Sequence, residues 1–434
     1  MELAQNALLY VLIIVVTARF YSILWLSSHQ PSLLEEMRAA VLFLGDYVLI
    51  PICVLSILRL MVDADYRAFL LASILKIIDV GGAGWFALVV WMGLGALWAG
   101  DPTLVRYGTL HLSAEIFMAV VLAVSIRKNG LQSASWAILI GTTGQGLLAV
   151  AQSIHQGPLG LPLLNESPLL LFSYYRSFGL TINPNNLAGY LVAGFFVSLI
   201  LIQQRINRHA SVILPFVCSL IILCGLLATQ SRAAIIGAVV GLTFIGLINL
   251  RRLRTFNRRA LLILAVAALV VGVWGSVLFI GNFRDRFLAL DQREFWFDDT
   301  FAILKESPFI GVGVHNLMLT IGAQHPNDPP TFLRLPVHDA YLMMWAEIGI
   351  PGLLLFLSTY LLLIYRSWRS GNASTTILGG CFIAIAVIML FDFYFWNDHR
   401  SRTLLLWMAG LWWGIFLSER NQSPDQTVNL HSPL

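Results

Sequence analysis

The chain has 434 residues, of which 58% are hydrophobic and 12% charged, with a formal net charge of +4. A soluble domain carries about 25% charged residues, so this composition, with a mean hydropathy of +0.78, excludes a water-soluble globular fold and points to an integral membrane protein. No nucleic-acid partner is expected, and the four cysteines, Cys53, Cys218, Cys224 and Cys381, all lie in apolar runs, which argues against a disulfide framework or a metal site.

Only Glu2 is charged ahead of the first apolar run, residues 7–26. That run is too long for the core of a cleavable signal and lacks a small-residue cleavage site, so it is expected to stay as the first span. A helix needs about twenty apolar residues to cross a bilayer. On that template spans are expected near 7–26, 39–60, 82–99, 110–126, 134–154, 186–203, 211–229, 232–250, 260–280, 340–365, 373–396 and 403–417, about twelve in all. Residues 67–78, amphipathic with Lys76 and Asp79 ahead of Gly81-Gly82, read as an interfacial lead-in to the third span. No internal repeat is evident, which argues against an inverted-repeat transporter.

Lysine and arginine bias sets orientation. Arg251, Arg252, Arg254, Arg258 and Arg259 follow the eighth span and place that connection in the cytoplasm. Counting by parity, Arg59 and Arg67, Arg127 and Lys128, Arg205 and Arg208, and Arg366 and Arg369 fall on the same side. Both termini are then cytoplasmic. The whole of 1–434 reads as one membrane domain, with 418–434 as a cytoplasmic tail and 281–338 as a large loop on the opposite side.

That loop departs from the rest of the chain. It carries Arg284, Arg286 and Arg293 among Asp285, Asp291 and Glu294, passes through His325-Pro326-Asn327-Asp328-Pro329-Pro330, and ends at Pro336-Val337-His338-Asp339. Long polar loops are functional or disordered, and this one is too rich in Phe, Trp and Leu for disorder. Most of its alternating charges read as local pairs. Pro336 cannot continue a helix, so His338 lies at the start of the helix that follows, with Asp339 suited to its first turn. A positive helix end and nearby arginines favour a neutral imidazole at pH 7, which is the state a general base needs. A histidine that merely caps the helix is the other reading. Glu347, buried in the same helix, lies off the His338 face and reads as a contact to another helix.

Two further connections face the same side by parity. One holds Arg176 between aromatic residues and the Asn183-Pro184-Asn185-Asn186 turn; it would bind a phosphate, or pair with Glu166. The other is the tight turn Thr229-Gln230-Ser231-Arg232, where Ser231 is a good N-cap. Arg232 there makes an anion site with the helix dipole, or snorkels to headgroups. Arg176, Arg232, Arg293 and His338 thus come from distant places to one membrane face.

Several stretches together carry a resemblance: Arg176-x-x-Gly179 with Asn183-Pro184-Asn185-x-Leu187-Ala188; Thr229-x-Ser231-Arg232; Arg293 upstream of Glu306-Ser307-Pro308-Phe309-Ile310-Gly311-Val312-Gly313-Val314-His315-Asn316; and His338-Asp339-x-Tyr341-Leu342 with Glu347-x-Gly349-x-x-Gly352. Over roughly residues 170–360 the chain resembles the O-antigen ligase/polymerase superfamily of bacterial inner-membrane glycosyltransferases. The resemblance implies an all-α polytopic fold of the GT-C-like kind and an inverting transfer on the periplasmic face. The donor is a polysaccharide on undecaprenyl diphosphate, the acceptor a hydroxyl of lipid A–core, and no metal, ATP or other cofactor takes part. His338 is the expected base. Arg176, Arg232, Arg293 and Arg286 are the expected diphosphate ligands, with Asn185, Asp339, Tyr341 and His315 in support. Where the family pattern has Asn or Ser after the histidine, this chain has Asp339. An O-antigen polymerase with the same donor is the alternative enzyme, and a protein O-oligosaccharyltransferase a further one. A lipid-glycan transporter is the alternative of another class, disfavoured because the candidate charges gather at one surface rather than mid-membrane.

Overall fold

Inside a bilayer a backbone N–H or C=O finds no water, so apolar segments pair their own backbone as helices. The structure, a computed structural model, describes residues 2–15, 21–26, 39–160, 175–181, 183–251, 291–325 and 335–422. Helix α1 (Glu2–Val15) is followed by a hairpin of β1 (Tyr21–Leu26) and β2 (Ala39–Phe43). Then come α2 (Leu44–Val62), α3 (Ala64–Ile77), α4 (Ala83–Leu94), α5 (Pro102–Asn129), α6 (Leu131–His155), α7 (Pro184–Asn207), α8 (Ile213–Ala228) and α9 (Arg232–Arg251). The C-terminal part holds α10 (Asp291–Glu306), α11 (Leu317–Gln324), α12 (Ala340–Arg369), α13 (Ala373–Met389), α14 (Tyr394–Asn397) and α15 (His399–Gln422).

This is an all-α multi-pass architecture. Among the described residues six helices are long and apolar enough to cross a membrane, with four shorter apolar helices beside them. The expected span at 260–280 lies outside the described residues. Several boundaries differ from expectation. The first apolar run does not form one helix to residue 26, because residues 21–26 pair as β1 with β2 in antiparallel register, Tyr21 opposite Phe43. The second run accordingly starts as strand and turns helical only at Leu44. The expected lead-in at 67–78 is α3, which passes through a π-turn at Ile78–Gly82 into α4, so that Ala64–Leu97 forms one long apolar run. The run 373–396 breaks after Met389, and α15 continues past 417 to Gln422. Among its described residues the 281–338 loop contains two helices, α10 and α11.

Helix starts follow local chemistry. Asp63, Asp101, Asn183, Asp339 and Asn372 each accept first-turn backbone N–H groups, with proline in the first turn of α5 and α7. The centre is α7, in which every residue from Asn186 to Gln203 is buried, together with α15, which lies along α5. Small residues let the helix pairs approach closely: a Cβ on Gly225 would meet the Gly146 Cα at 2.6 Å, and one on Gly410 the Ala119 carbonyl at 2.7 Å.

α12 is broken on purpose. Gly349 has φ +66° and Pro351 lacks an N–H, so the carbonyls before the break lose helical donors. They are repaired from outside: Val312 N donates to Ala346 O at 2.9 Å, Gly313 N to Glu347 O at 2.8 Å, and Trp91 Nε1 to Ile348 O at 2.7 Å. Any side chain at Gly349 would run into the Phe309 carbonyl. The break therefore docks the segment after α10 onto α12.

Candidate active site

α12 begins at Ala340, with Asp339 accepting the Leu342 N–H at 2.9 Å. His338 stands just ahead of that cap and is half-buried. Its Nδ1 lies 3.1 Å from the Pro336 carbonyl oxygen. A carbonyl only accepts, so Nδ1 carries the proton, and a neutral ring then has its lone pair on Nε2. The ring is clamped by two aromatics. Trp296 of α10 stacks on it at 4.6 Å and 17°, and Phe393 meets it edge-on at 5.2 Å and 87°. Burial raises the Asp339 carboxyl above its usual range, while the N–H groups of Leu342 and Tyr341 pull it down. Tyr341 turns away from His338 and donates to the Ala386 carbonyl of α13 at 3.1 Å.

Arg176 lies in a segment pinned from beneath by α6. Gln152 accepts from the Phe178 and Gly179 N–H groups at 3.1 and 2.8 Å, and Gln145 accepts from the Leu180 N–H at 3.1 Å. Gly179 takes φ +57°, which suits a residue without Cβ. Arg176 then donates through Nε to the Thr229 carbonyl at 2.8 Å and through NH2 to Asn185 Oδ1 at 2.7 Å. Asn185 passes the chain on, donating to Asp392 Oδ2 at 2.6 Å. Asp392 is buried, and the next residue is the Phe393 that touches His338. One connector, between α13 and α14, therefore joins the Arg176 region to the His338 region.

Arg232 is the exposed first residue of α9, at the end of the turn whose Thr229 carbonyl holds Arg176. Arg293 lies in α10, one turn from Trp296; its side chain, Arg286 and the alternative partner Glu166 lie outside the described residues. Of the expected group, the structure gathers His338, Arg176, Asn185 and the backbone positions of Arg232 and Arg293 at one end of the bundle.

His315 goes elsewhere. It adopts φ +60°, its N–H donates to Glu347 Oε1 at 3.0 Å, and its ring packs near Tyr107 and His399 at 5.9 and 5.6 Å. Burial, and then the Arg402 charge, lower its pKa to about 3, against a raising bond from Asn397. Glu347 is a helix-to-helix contact, its Oε2 accepting from Trp396 Nε1 at 2.7 Å.

The cluster around His315 was not expected. Tyr107, His111 and Glu115 line one face of α5, opposite His399 and Arg402 of α15. Arg402 grips both Glu115 oxygens, at 2.7 and 3.3 Å, and donates to His399 Nδ1 at 2.9 Å and the Trp396 carbonyl at 3.0 Å. Ligand atoms of His111, Glu115 and His399 lie within 4.8 Å of one another, a spacing that suits a metal ion. Arginine only donates, however, so the His399 Nδ1 lone pair and both Glu115 oxygens are already engaged, and the guanidinium supplies the positive charge a metal would bring.

Asp392, Phe393 and Trp296 are residues around the candidate site that sequence reasoning missed. Asp392 had a usable signal, an ionisable residue inside an apparent span. The two aromatics had none in their spacing.

Residues 217–357 match the family model described as O-antigen ligase. The match takes in Arg232, Arg293 and His338 and stops short of Arg176 and Asp392. No curated protein matches the chain.

Proposed function

We propose that this chain, an O-antigen ligase family member by its domain at residues 217–357, joins a polysaccharide carried on undecaprenyl diphosphate to a hydroxyl of lipid A–core on the periplasmic face of the bacterial inner membrane. The family match supports glycan transfer of the ligase or polymerase type.

The state of His338 carries it. With Nδ1 spent on the Pro336 carbonyl and the ring clamped between Trp296 and Phe393, Nε2 is the basic atom. It takes the proton from the acceptor hydroxyl as that oxygen attacks the anomeric carbon. The bond from that carbon to the diphosphate oxygen breaks, the electron pair leaves with the undecaprenyl diphosphate, and attack from the opposite face inverts the centre. The developing charge is met by Arg176, which Thr229 and Asn185 orient, with Arg232 and Arg293 as the further expected ligands. A diphosphate leaves without protonation, so the scheme calls for neither a general acid nor a metal.

The test is transfer in vitro by the purified full chain, given lipid-linked O-glycan and rough lipopolysaccharide. The ligase reading expects a ladder of extended lipopolysaccharide that survives chelator. Elongation of the donor lipid without lipopolysaccharide would instead assign the polymerase. Loss of the ladder on chelation would overturn the metal-free step, and no glycan transfer of either kind would return the transporter.

A further inference from the structure

Arg400, in the first turn of α15, has a side chain only 5% exposed. Its Nε donates to Asp398 Oδ1 at 2.9 Å, and its guanidinium carbon sits 4.5 Å from the centre of the Phe43 ring, which covers one face. Both terminal nitrogens are buried and have no hydrogen-bond partner. Buried donors are almost always paired, and the Asp398 ion pair leaves these two charged donors without an acceptor. Arg402, on the same helix, shows what a structural arginine looks like here, since each of its nitrogens has an acceptor.

The two empty nitrogens are the end-on fork of the guanidinium, the edge that receives phosphate in a bidentate way. They lie in the buried first turn of a long helix, whose positive dipole end favours an anion. Of the neighbouring carboxylates, Asp398 is also held by Asn186 Nδ2 at 3.0 Å and Ser401 Oγ at 2.8 Å, and Asp46 by the Phe43 N–H at 2.8 Å. Neither reaches the fork. The place is also next to the candidate active site, because Asn186 adjoins the Asn185 that holds Arg176.

We propose that Arg400 is a second anion subsite, distinct from Arg176, that takes a phosphate group at the N-terminal end of α15. The proposal does not depend on which glycan the chain transfers. Two sources offer that chemistry, a phospholipid headgroup and a phosphate on a soluble or glycan ligand.

The experiment follows thermal unfolding of the full chain by tryptophan fluorescence in nanodiscs. One arm adds inorganic phosphate to phosphatidylcholine discs, and the other uses discs containing phosphatidic acid without added phosphate. Wild type and Arg176→Gln should both gain stability in at least one arm. Arg400→Gln, which keeps a donor for Asp398, should lose that gain relative to its own unfolding temperature without phosphate. A response in the first arm alone assigns a soluble phosphate group, and a response in the second a lipid headgroup. Should Arg400→Gln fail to fold, Arg400→Lys must show a response weakened about tenfold in apparent affinity, since a point charge lacks the fork. Equal responses in wild type and the Arg400 variants, or no response in either arm, overturn the proposal. Glycan transfer is not part of the readout, so a failed ligase assay leaves this result standing.

Discussion

His338 and His399 stand at the starts of two long helices, each beside an aspartate, Asp339 and Asp398. Their surroundings assign them opposite work. His399 is buried with both nitrogens spent: Nδ1 accepts from Arg402 at 2.9 Å, so Nε2 donates to the Tyr107 oxygen at 2.7 Å, whose own proton goes to the Val41 carbonyl. It ties α5, α15 and the β2 strand together. His338 is half-buried, spends Nδ1 on a carbonyl of its own loop, and is clamped by two aromatic rings. Residue type and helix position therefore do not make a base. What differs is the set of neighbours that orients each ring.

The sharpest way to break this contrast is to remove each partner. His338→Ala should cut transfer by about 100- to 10,000-fold, the usual worth of a general base, with little change in unfolding temperature. Full activity in that variant, measured by the ladder assay at matched folding, would remove His338 from the chemistry. Arg402→Met should do the reverse. It strands Glu115, which is 1% exposed, and removing one partner of a buried pair costs about 3–5 kcal/mol. The measurement is unfolding, and Glu115→Gln added to Arg402→Met should recover a large part of the loss. If Arg402→Met folds like wild type yet abolishes transfer, the cluster belongs to the site and the contrast fails.

A smaller effect should come from His315. Its folded pKa is about 3 against a reference of 6.5, so between those values the unfolded chain binds a proton that the folded chain refuses. Stability then rises with pH across that window and is lost as pH falls from about 6.5 toward 3. His315→Asn, a residue that tolerates the positive φ, should flatten the acid limb of an unfolding-versus-pH profile. An unchanged limb would mean that other groups set it. Transfer at pH 7 should be unaffected, in keeping with a ring that packs against Tyr107 and His399.

Much of the site was legible because it is written in local chemistry. Pro336, His338 and Asp339 mark a helix start without any tertiary information, as do Asn183-Pro184 and Ser231-Arg232, and each helix begins there. What was illegible depends on distant partners. Residues 21–26 are as apolar as a span, and only pairing with 39–43 makes them a strand. Asp392 stood out as one charge among Phe391, Phe393 and other apolar neighbours, but its partner appears only when Asn185 arrives from α7. His315 sits in a motif with the rest, yet a motif does not say which way a ring points. The positive φ and the Glu347 bond turn it toward α5.

Tyr341 tests how finely the connector sets His338. α13 ends at Met389, and the Leu390 N–H that would serve the Ala386 carbonyl turns instead to Val387 and Ile388. The Tyr341 hydroxyl takes its place at 3.1 Å, so it pins the helix end from which Asp392 and Phe393 are projected. Tyr341→Phe removes one neutral bond and leaves that carbonyl without its donor, a cost of about 1 kcal/mol. Because the connector carries the ring that abuts His338, the same change should lower kcat by a few-fold, about 1 kcal/mol in the barrier, with KM unchanged. A rise in KM at constant kcat would instead make Tyr341 a direct substrate ligand and move the boundary of the site onto α12.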